Sequence, residues 1–416
     1  MSRVAVIGSG ISGSAAAWLL SRRHEVWLYE KESRLGGHTL TATVAAPEGN
    51  CPVDVGFIVH NEPNYPLLCR LFRELGIATV PSDMSFSVEN RPDGLSWCSR
   101  GLNGLFAQRR NLVRPRFYAL LSEIRRFNSR ARALLAEPGA AAWPLGGWIL
   151  RERFSDDFRD SYLLPMAGSI WSASPRDMLD FPAASVARFF ENHGFLGVTT
   201  QVPWRTIPGG CARYLDPLVQ PFRERILTGK PVARVERTLR DVTVHAEGAG
   251  ARTFDEVVFA CHGDQVLPLL ASPTQAEIEV FGTFRTTSNE AVLHTDPRVM
   301  PARRRAWASW NSLRTPEDGG RSVTTYHMNR LQPLETKSDC FVSLNAGALV
   351  DRSRALSRFA FRHPRLSQDS ILAQGRWPEV SGRNRTHYCG AWWGHGFHED
   401  GLRSAVRVAE RMGVKW

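Results

Sequence analysis

The chain has 416 residues, 43% hydrophobic and 22% charged, with a formal net charge of +11. That length supports a large core and two domains, and the composition is that of a globular protein rather than a disordered one. No apolar run approaches the ~18 residues of a spanning helix, and seven scattered cysteines without a Cys-x-x-Cys pair read as reduced thiols rather than a disulfide framework.

Val4-Ala5-Val6-Ile7 reads as a short buried strand. It runs into Gly8-Ser9-Gly10-Ile11-Ser12-Gly13, which opens a helical pattern from Ile11 to Arg22. A second strand, Glu25 to Tyr29, ends at Glu30. Strand, glycine turn, helix, strand and acid in this order predict a dinucleotide-binding unit. Gly8 permits the tight turn, Gly10 lets backbone approach a pyrophosphate, and Gly13 lets helix and strand pack. The helix N-terminus supplies N–H donors to phosphate, and Glu30 can accept from a ribose hydroxyl pair. A second glycine loop follows in Glu30-Lys31-Glu32-Ser33-Arg34-Leu35-Gly36-Gly37-His38-Thr39, where Arg34 can neutralise charge.

From Leu105 to Leu135 there are eight arginines (109, 110, 114, 116, 125, 126, 130 and 132) against one acid, Glu123. Leucines and aromatic residues are interleaved with them. Basic helices of this kind lie on anionic lipid, while a solvated basic face over a core stripe is the plainer reading. No nucleic-acid module is present, so nucleic acid is not an expected partner. Asn111–Leu135, Leu145–Arg153 and Ser155–Leu164 carry helical spacing. Glu290–His294, Arg305–Asn311, Ser322–Met328 and Phe341–Asn345 read as strands. The chain closes with Tyr388-Cys389-Gly390-Ala391-Trp392-Trp393-Gly394-His395-Gly396-Phe397-His398-Glu399-Asp400-Gly401 and a helical pattern from Leu402 to Met412. His395, His398, Glu399 and Asp400 have some metal-ligand character, but a turn cannot easily aim all four inward, so no metal is expected.

The second glycine pair resembles that of the flavin amine oxidase and carotenoid desaturase superfamily, and the C-terminal segment resembles its closing flavin motif. Pro208-Gly209-Gly210-Cys211 and Pro231-Val232-Ala233-Arg234-Val235 resemble the intervening turn and the strand over the adenine. The resemblance runs from residue 3 to about 412. It implies non-covalent FAD and an α/β fold, with a Rossmann-type FAD-binding domain interleaved with an α+β substrate domain. The FAD domain would be residues 1–80, 205–275 and 375–416. The substrate domain would be 81–204 and 276–374, with basic membrane-facing helices about 105–135. The implied cofactor-binding residues are Gly8, Gly10, Ile11, Ser12, Gly13, Glu30, Lys31, Arg34, Leu35, Gly36, Gly37, His38, Thr39, Gly56, Phe57, Ile58, Val232, Gly390, Phe397, His398, Glu399 and Asp400.

Asp54–Asn61, Pro81–Ser87, Tyr162–Met166, Ile170–Ser172, Ala306–Asn311 and Gly396–Gly401 are similar to a narrower bacterial subgroup. That subgroup comprises FAD-binding, amine-oxidase-like proteins associated with fatty-acyl phospholipid methyltransferases, and includes the flavin desaturases of furan fatty acid synthesis. The resemblance implies a fatty acyl phospholipid substrate, with hydride leaving an allylic carbon for flavin N5. The alternatives are a lipid double-bond isomerase, an amine oxidase, and a non-catalytic FAD-binding partner of a lipid methyltransferase. A homodimer and a lipid methyltransferase partner are further expectations. The first strand begins at once, so no secretion signal is expected. The location read from these features is cytoplasmic, peripheral on the inner face of the membrane through Arg109, Arg110, Arg114, Arg116, Arg125 and Arg126.

Amine oxidases of the superfamily commonly carry a lysine holding water at N5. The corresponding stretch, Phe284 to Leu293, contains none, which ranks amine oxidation lower. His60, His193 and Glu290 are the candidate proton acceptors. Tyr162, Asn311 and Tyr326 are candidate cavity-lining residues.

Overall fold

The computed structural model describes residues 1–140, 143–197, 202–315 and 322–416. β1 (Arg3–Ile7), α1 (Ile11–Leu20) and β2 (Glu25–Tyr29) form the expected strand, helix and strand. α1 is Ala-rich and buried nearly all round, as a helix wedged between a sheet and a second helix must be. β1 is the middle of a parallel five-stranded sheet in the order Thr386–Tyr388, Glu256–Phe259, β1, β2, Ile226–Leu227. Val4, Ala5 and Val6 are fully buried on it, the continuous apolar run that a sheet covered on both faces requires. A three-stranded antiparallel meander, Val232–Arg237, Val242–Ala246 and Gly250–Phe254, stands beside it.

A second sheet has seven strands, in the order Ala355–Arg365, Arg285–His294, Phe341–Leu344, Ser322–His327, Trp310–Arg314, Phe86–Asn90, Leu95–Cys98. All neighbours are antiparallel except Trp310–Arg314 with Phe86–Asn90. Three sequence expectations need correction. The first insertion is not purely helical, because Phe86–Asn90 and Leu95–Cys98 extend this sheet. The segment 305–311 is not one strand: Arg304–Ala306 is a 3-10 turn and the strand begins at Trp310. The helical reading of 155–164 resolves into Asp156–Phe158, a π turn Arg159–Leu163, and a helix Leu164–Trp171.

α2 (Pro66–Glu74) packs against the C-terminal helix His398–Arg411. α3 (Gly101–Leu105), the 3-10 turn Arg109–Val113 and α4 (Pro115–Ala136) open the helical layer. α4 turns Phe117, Leu120, Phe127, Ala131 and Leu134 inward, at helical spacing. They pack with Trp148, Phe158, Phe190 and Trp97 in a core of their own, so the large cavity lies between this aromatic core and the dinucleotide unit. Among the described residues, no helix is long and apolar enough to cross a membrane.

Candidate functional site

The first glycine loop is held tight by its neighbours. Gly8 has φ +106°, and a Cβ there would stand 2.9 Å from the Ala260 carbonyl oxygen. A Cβ on Gly13 would reach 1.9 Å from the Gly8 carbonyl. Gly10 differs, since nothing lies within 4 Å of its Cβ position, leaving open space over the helix N-terminus where a phosphate would sit. Gly37, at φ +56°, places its Cβ position 3.2 Å from Gly10 Cα. The two loops therefore meet backbone to backbone. Glu30 caps the arrangement from the tip of β2: Ser9 N–H and Oγ donate to it at 2.9 and 2.6 Å, and Glu32 N–H at 2.9 Å. Its carboxylate still has acceptor capacity for a ribose.

The third loop approaches from the C-terminus. Asp400 accepts from the His395 and Phe397 amides at 3.0 and 3.1 Å, which shapes the turn that starts the helix His398–Arg411. Its Gly401 abuts Ser12 and Ile11, so two helix N-termini sit side by side. The His398 ring stacks on Phe57 at 3.8 Å, and Thr39 lies 3.1 Å from its Nε2. Burial pushes the His398 pKa down to about 3, so this imidazole is neutral.

These loops line one end of a cavity of about 510 Å³, within the size range of cofactor and ligand pockets. From Gly8–Ser12, Glu30, Gly36–His38 and Gly56–Val59 it extends to an apolar end walled by Phe86, Trp97, Ile124, Tyr162, Met166 and Ile170. Of the three lining candidates, Tyr162 and Tyr326 reach the cavity. Asn311 instead is buried in the sheet, accepting from Ser87 Oγ and the Ala308 amide.

The proton-acceptor candidates are not where the sequence reading put them. Neither His60, His193 nor Glu290 lines the cavity. His60 packs edge-on to Phe72 and its backbone bridges Arg205. His193 is clamped between Phe189 at 3.8 Å and Trp204 at 5.5 Å, with Nδ1 2.9 Å from the Phe189 carbonyl. Glu290 accepts twice from Arg358 at 2.9 Å on the exposed side of the sheet. Apolar sequence neighbourhoods signal burial, and in the two histidines burial went into core packing.

Several cofactor-binding expectations also move outward. Lys31, Arg34, Leu35, Thr39, Val232, Glu399 and Asp400 do not line the cavity. Arg34 donates to the Gly37 carbonyl at 2.9 Å, and Glu399 accepts the Leu67 and Leu68 amides at 3.1 and 3.0 Å, capping α2. Thr39 is 2.5 Å from the Tyr214 hydroxyl. Arg34, Thr39, Glu399 and Asp400 hold the loops in shape. The remaining named residues, apart from Gly13 behind the turn, lie along the cavity.

Sequence reasoning missed a histidine wall. His38, His262 and His363 all line the cavity, with His38 centred 6.0 Å from His262 and 5.0 Å from His363. Burial pulls His262 and His363 down to about 4 and His38 well below its ordinary value. An amide chain fixes one tautomer. The Glu290 amide donates to Asn345 Oδ1 at 3.0 Å, Asn345 Nδ2 donates to Asn289 Oδ1 at 2.6 Å, and Asn289 Nδ2 then faces His363 Nδ1 at 2.8 Å. Neutral His363 therefore carries its proton on Nε2. Nε2 of His38 is buried and has no protein partner. Nothing in the sequence spacing of 38, 262 and 363 could have joined them, because they come from three separate elements.

Residues 6–75 match the family model of the NAD(P)-binding Rossmann-like domain. A Mycobacterium tuberculosis protein named as a flavin-containing monoamine oxidase, AofH, is 28% identical over 265 residues, 59% of this chain. The match spans 53% of that relative, about half its length. Cyclohexylamine oxidase from Brevibacterium oxydans aligns over 99% of both chains with a TM-score of 0.69 at 18% identity. A CLA-producing fatty acid isomerase from P. acnes aligns over 99% of this chain and 98% of its own, with a TM-score of 0.68 at 15% identity. The chain has the two-domain α/β fold of the amine oxidase flavoproteins. FAD is the cofactor its loops hold: open space above Gly10, paired glycine backbones and an unpartnered His38 nitrogen on the cavity wall all fit it.

Proposed function

We propose that this protein is an FAD-dependent oxidoreductase that desaturates an unsaturated acyl chain of a phospholipid. One observation carries the reading. The cavity that begins at the glycine loops continues into an apolar chamber, where the described lining includes no lysine and Glu30, at the dinucleotide end, is its only acid. An ammonium substrate would meet no counter-charge beside the apolar walls. A hydrocarbon chain would meet aromatic and aliphatic contacts along its length.

When bound, FAD supplies the hydride acceptor. The chain's own residues do the rest. Gly10 leaves open space where its phosphates would lie, Glu30 would accept from its ribose, and Phe57 with His398 forms a flat platform beside the apolar chamber. Phe86, Trp97, Ile124, Met166 and Ile170 orient the acyl chain and exclude water. With that acceptor in place, loss of an allylic hydride and of a neighbouring proton would give a conjugated diene. The carbon acid beside an allylic cation is strong, so a weakly basic imidazole suffices to take that proton.

The test is anaerobic mixing of the flavin-loaded protein with a phospholipid bearing one cis double bond, followed by acyl-chain mass analysis. Bleaching of the flavin with loss of two hydrogens from the chain supports the proposal. A shifted double bond at unchanged mass would place the protein among lipid isomerases. Flavin reduction by amines and by no lipid would refute the acyl reading, and stoichiometric flavin without turnover would favour a non-catalytic partner.

A further inference from the structure

We infer that the face built from α3, the turn Arg109–Val113 and the outer side of α4 docks on an anionic phospholipid surface. The inference draws its purpose from the acyl-chain reading, and its evidence from surface chemistry alone.

The eight arginines of this region fall into two groups. Arg116 is paired with Asp157, Arg126 with Glu123, Arg130 with Glu152 and Arg132 with Glu191. These charges are neutralised within the protein. Arg109, Arg110, Arg114 and Arg125 have no carboxylate in ion-pair range among the described residues. Arg109 donates to the Phe106 carbonyl at 3.1 Å and to Asn103, Arg110 to the Gly94 carbonyl, and Arg114 to the Gly94 and Asp93 carbonyls. A carbonyl oxygen positions a guanidinium without cancelling its charge, and although Arg116 holds a second carboxylate, Asp93, beside Asp157, the four unpaired arginines leave the region net positive.

Large apolar side chains are exposed on the same face. Val113 is 83% exposed and Leu102 76%, with Leu112 and Tyr118 each near half. They form one patch: Tyr118 donates to the Leu112 carbonyl at 2.9 Å, and its ring lies 6.4 Å from Phe106, whose carbonyl takes Arg109. Uncompensated cations beside exposed leucine, valine and tyrosine match the two layers of a membrane surface, anionic headgroups and the acyl boundary beneath. Nucleic acid would satisfy the cations and leave the apolar groups in water. The location also serves access, because α4 sends Ile124 and Asn128 into the apolar end of the cavity. The helix that meets the lipid is the helix that walls the chamber.

The experiment is co-sedimentation of the flavin-loaded full chain with vesicles of mixed phosphatidylglycerol and phosphatidylcholine, against pure phosphatidylcholine. Wild type binds the anionic vesicles and is released as salt rises. Arg125→Glu and Arg109→Glu each lower partitioning by about fivefold or more, and Val113→Asp lowers it further, all with unchanged flavin content because these side chains are outward. Arg130→Gln with Arg132→Gln, which removes paired charges, leaves partitioning within about twofold. The inference is overturned if wild type ignores anionic vesicles, if Arg125→Glu binds like wild type, or if the paired-arginine variant loses as much. Vesicle binding without flavin reduction by any lipid would leave docking standing and remove the acyl-chain reading; turnover on detergent-dispersed lipid without vesicle binding would do the reverse.

Discussion

Acid should weaken this fold steeply, and a lower bound on the effect follows from three histidines in the core away from the cavity, to which the cavity histidines His262, His363 and His398 add. His60, His193 and His294 are 1%, 5% and 0% exposed, and burial pulls each down to about 4 from an ordinary 6.5. The folded pKa lies below the unfolded one, so their stabilisation is fully present above about pH 6.5 and is lost as pH falls toward 4. Between pH 7.5 and 5.5 the unfolded imidazoles become about nine-tenths protonated while the buried ones stay neutral. That costs about 1.3 kcal/mol per ring, or about 4 kcal/mol for the three. Asp54 opposes them. It is buried among Thr41, the Cys211 amide and Gln332, and burial raises it to about 6, so it returns about 1 kcal/mol over the same interval. The net loss from these groups is at least about 3 kcal/mol, a large share of a typical domain's stability. Equilibrium urea unfolding of the flavin-loaded protein at the two pH values measures it. His193→Phe keeps the stack on Phe189 and Trp204 and should remove about a third of the histidine contribution, while retaining turnover. A loss below about 1 kcal/mol, or an unchanged pH slope in His193→Phe, would refute the reasoning.

Gly37→Val puts a β-branched side chain at φ +56°, with its Cβ 3.2 Å from Gly10 Cα; flavin content in the purified protein should fall more than about tenfold, judged by absorbance, because non-glycine residues are strained there. Met166→Trp fills the apolar end of the cavity and should cut turnover on long acyl chains by at least about tenfold while flavin content holds, checked by steady-state kinetics. Glu290→Gln breaks only the half-exposed pair with Arg358 and should change turnover less than about twofold and stability less than about 0.5 kcal/mol; a large loss in kcat would return Glu290 to the chemistry.

The parts legible in the sequence were those where a local rule dictates the residue. Gly8, Gly10, Gly13 and Glu30 belong to one short strand–turn–helix–strand unit whose spacing is set by backbone geometry. Both glycine loops could therefore be placed before any tertiary contact was known. The seven-stranded sheet was harder, because its long strand Ala355–Arg365 alternates intermediate and exposed residues and lacks a clean apolar period. His38, His262 and His363 were invisible as a set, since only the packing of three distant elements brings them together. The basic run was legible as charge, but its division into paired and unpaired arginines depends on Asp157, Glu152 and Glu191, which lie 22 to 59 residues along the chain from their partners.

The proposed acyl reading rests on a balance of magnitudes between an ammonium and a hydrocarbon occupant of this cavity. The cavity away from the dinucleotide end, where Glu30 lies, is electrically quiet: His262, His363 and His398 are held neutral by burial, and burial likewise keeps the Tyr162 and Tyr326 hydroxyls protonated. Moving an ammonium ion into such a chamber costs several kcal/mol that no carboxylate at the apolar end returns. A methylene moved the same way gains about 0.8 kcal/mol, so about ten of them supply about 8 kcal/mol, the scale of micromolar affinity before ordering costs. Aromatic rings could recover part of the ammonium's loss through their faces, at about 2 kcal/mol when desolvated. That return is smaller than the gain from a chain long enough to span the chamber, and the balance falls on the side of the acyl chain.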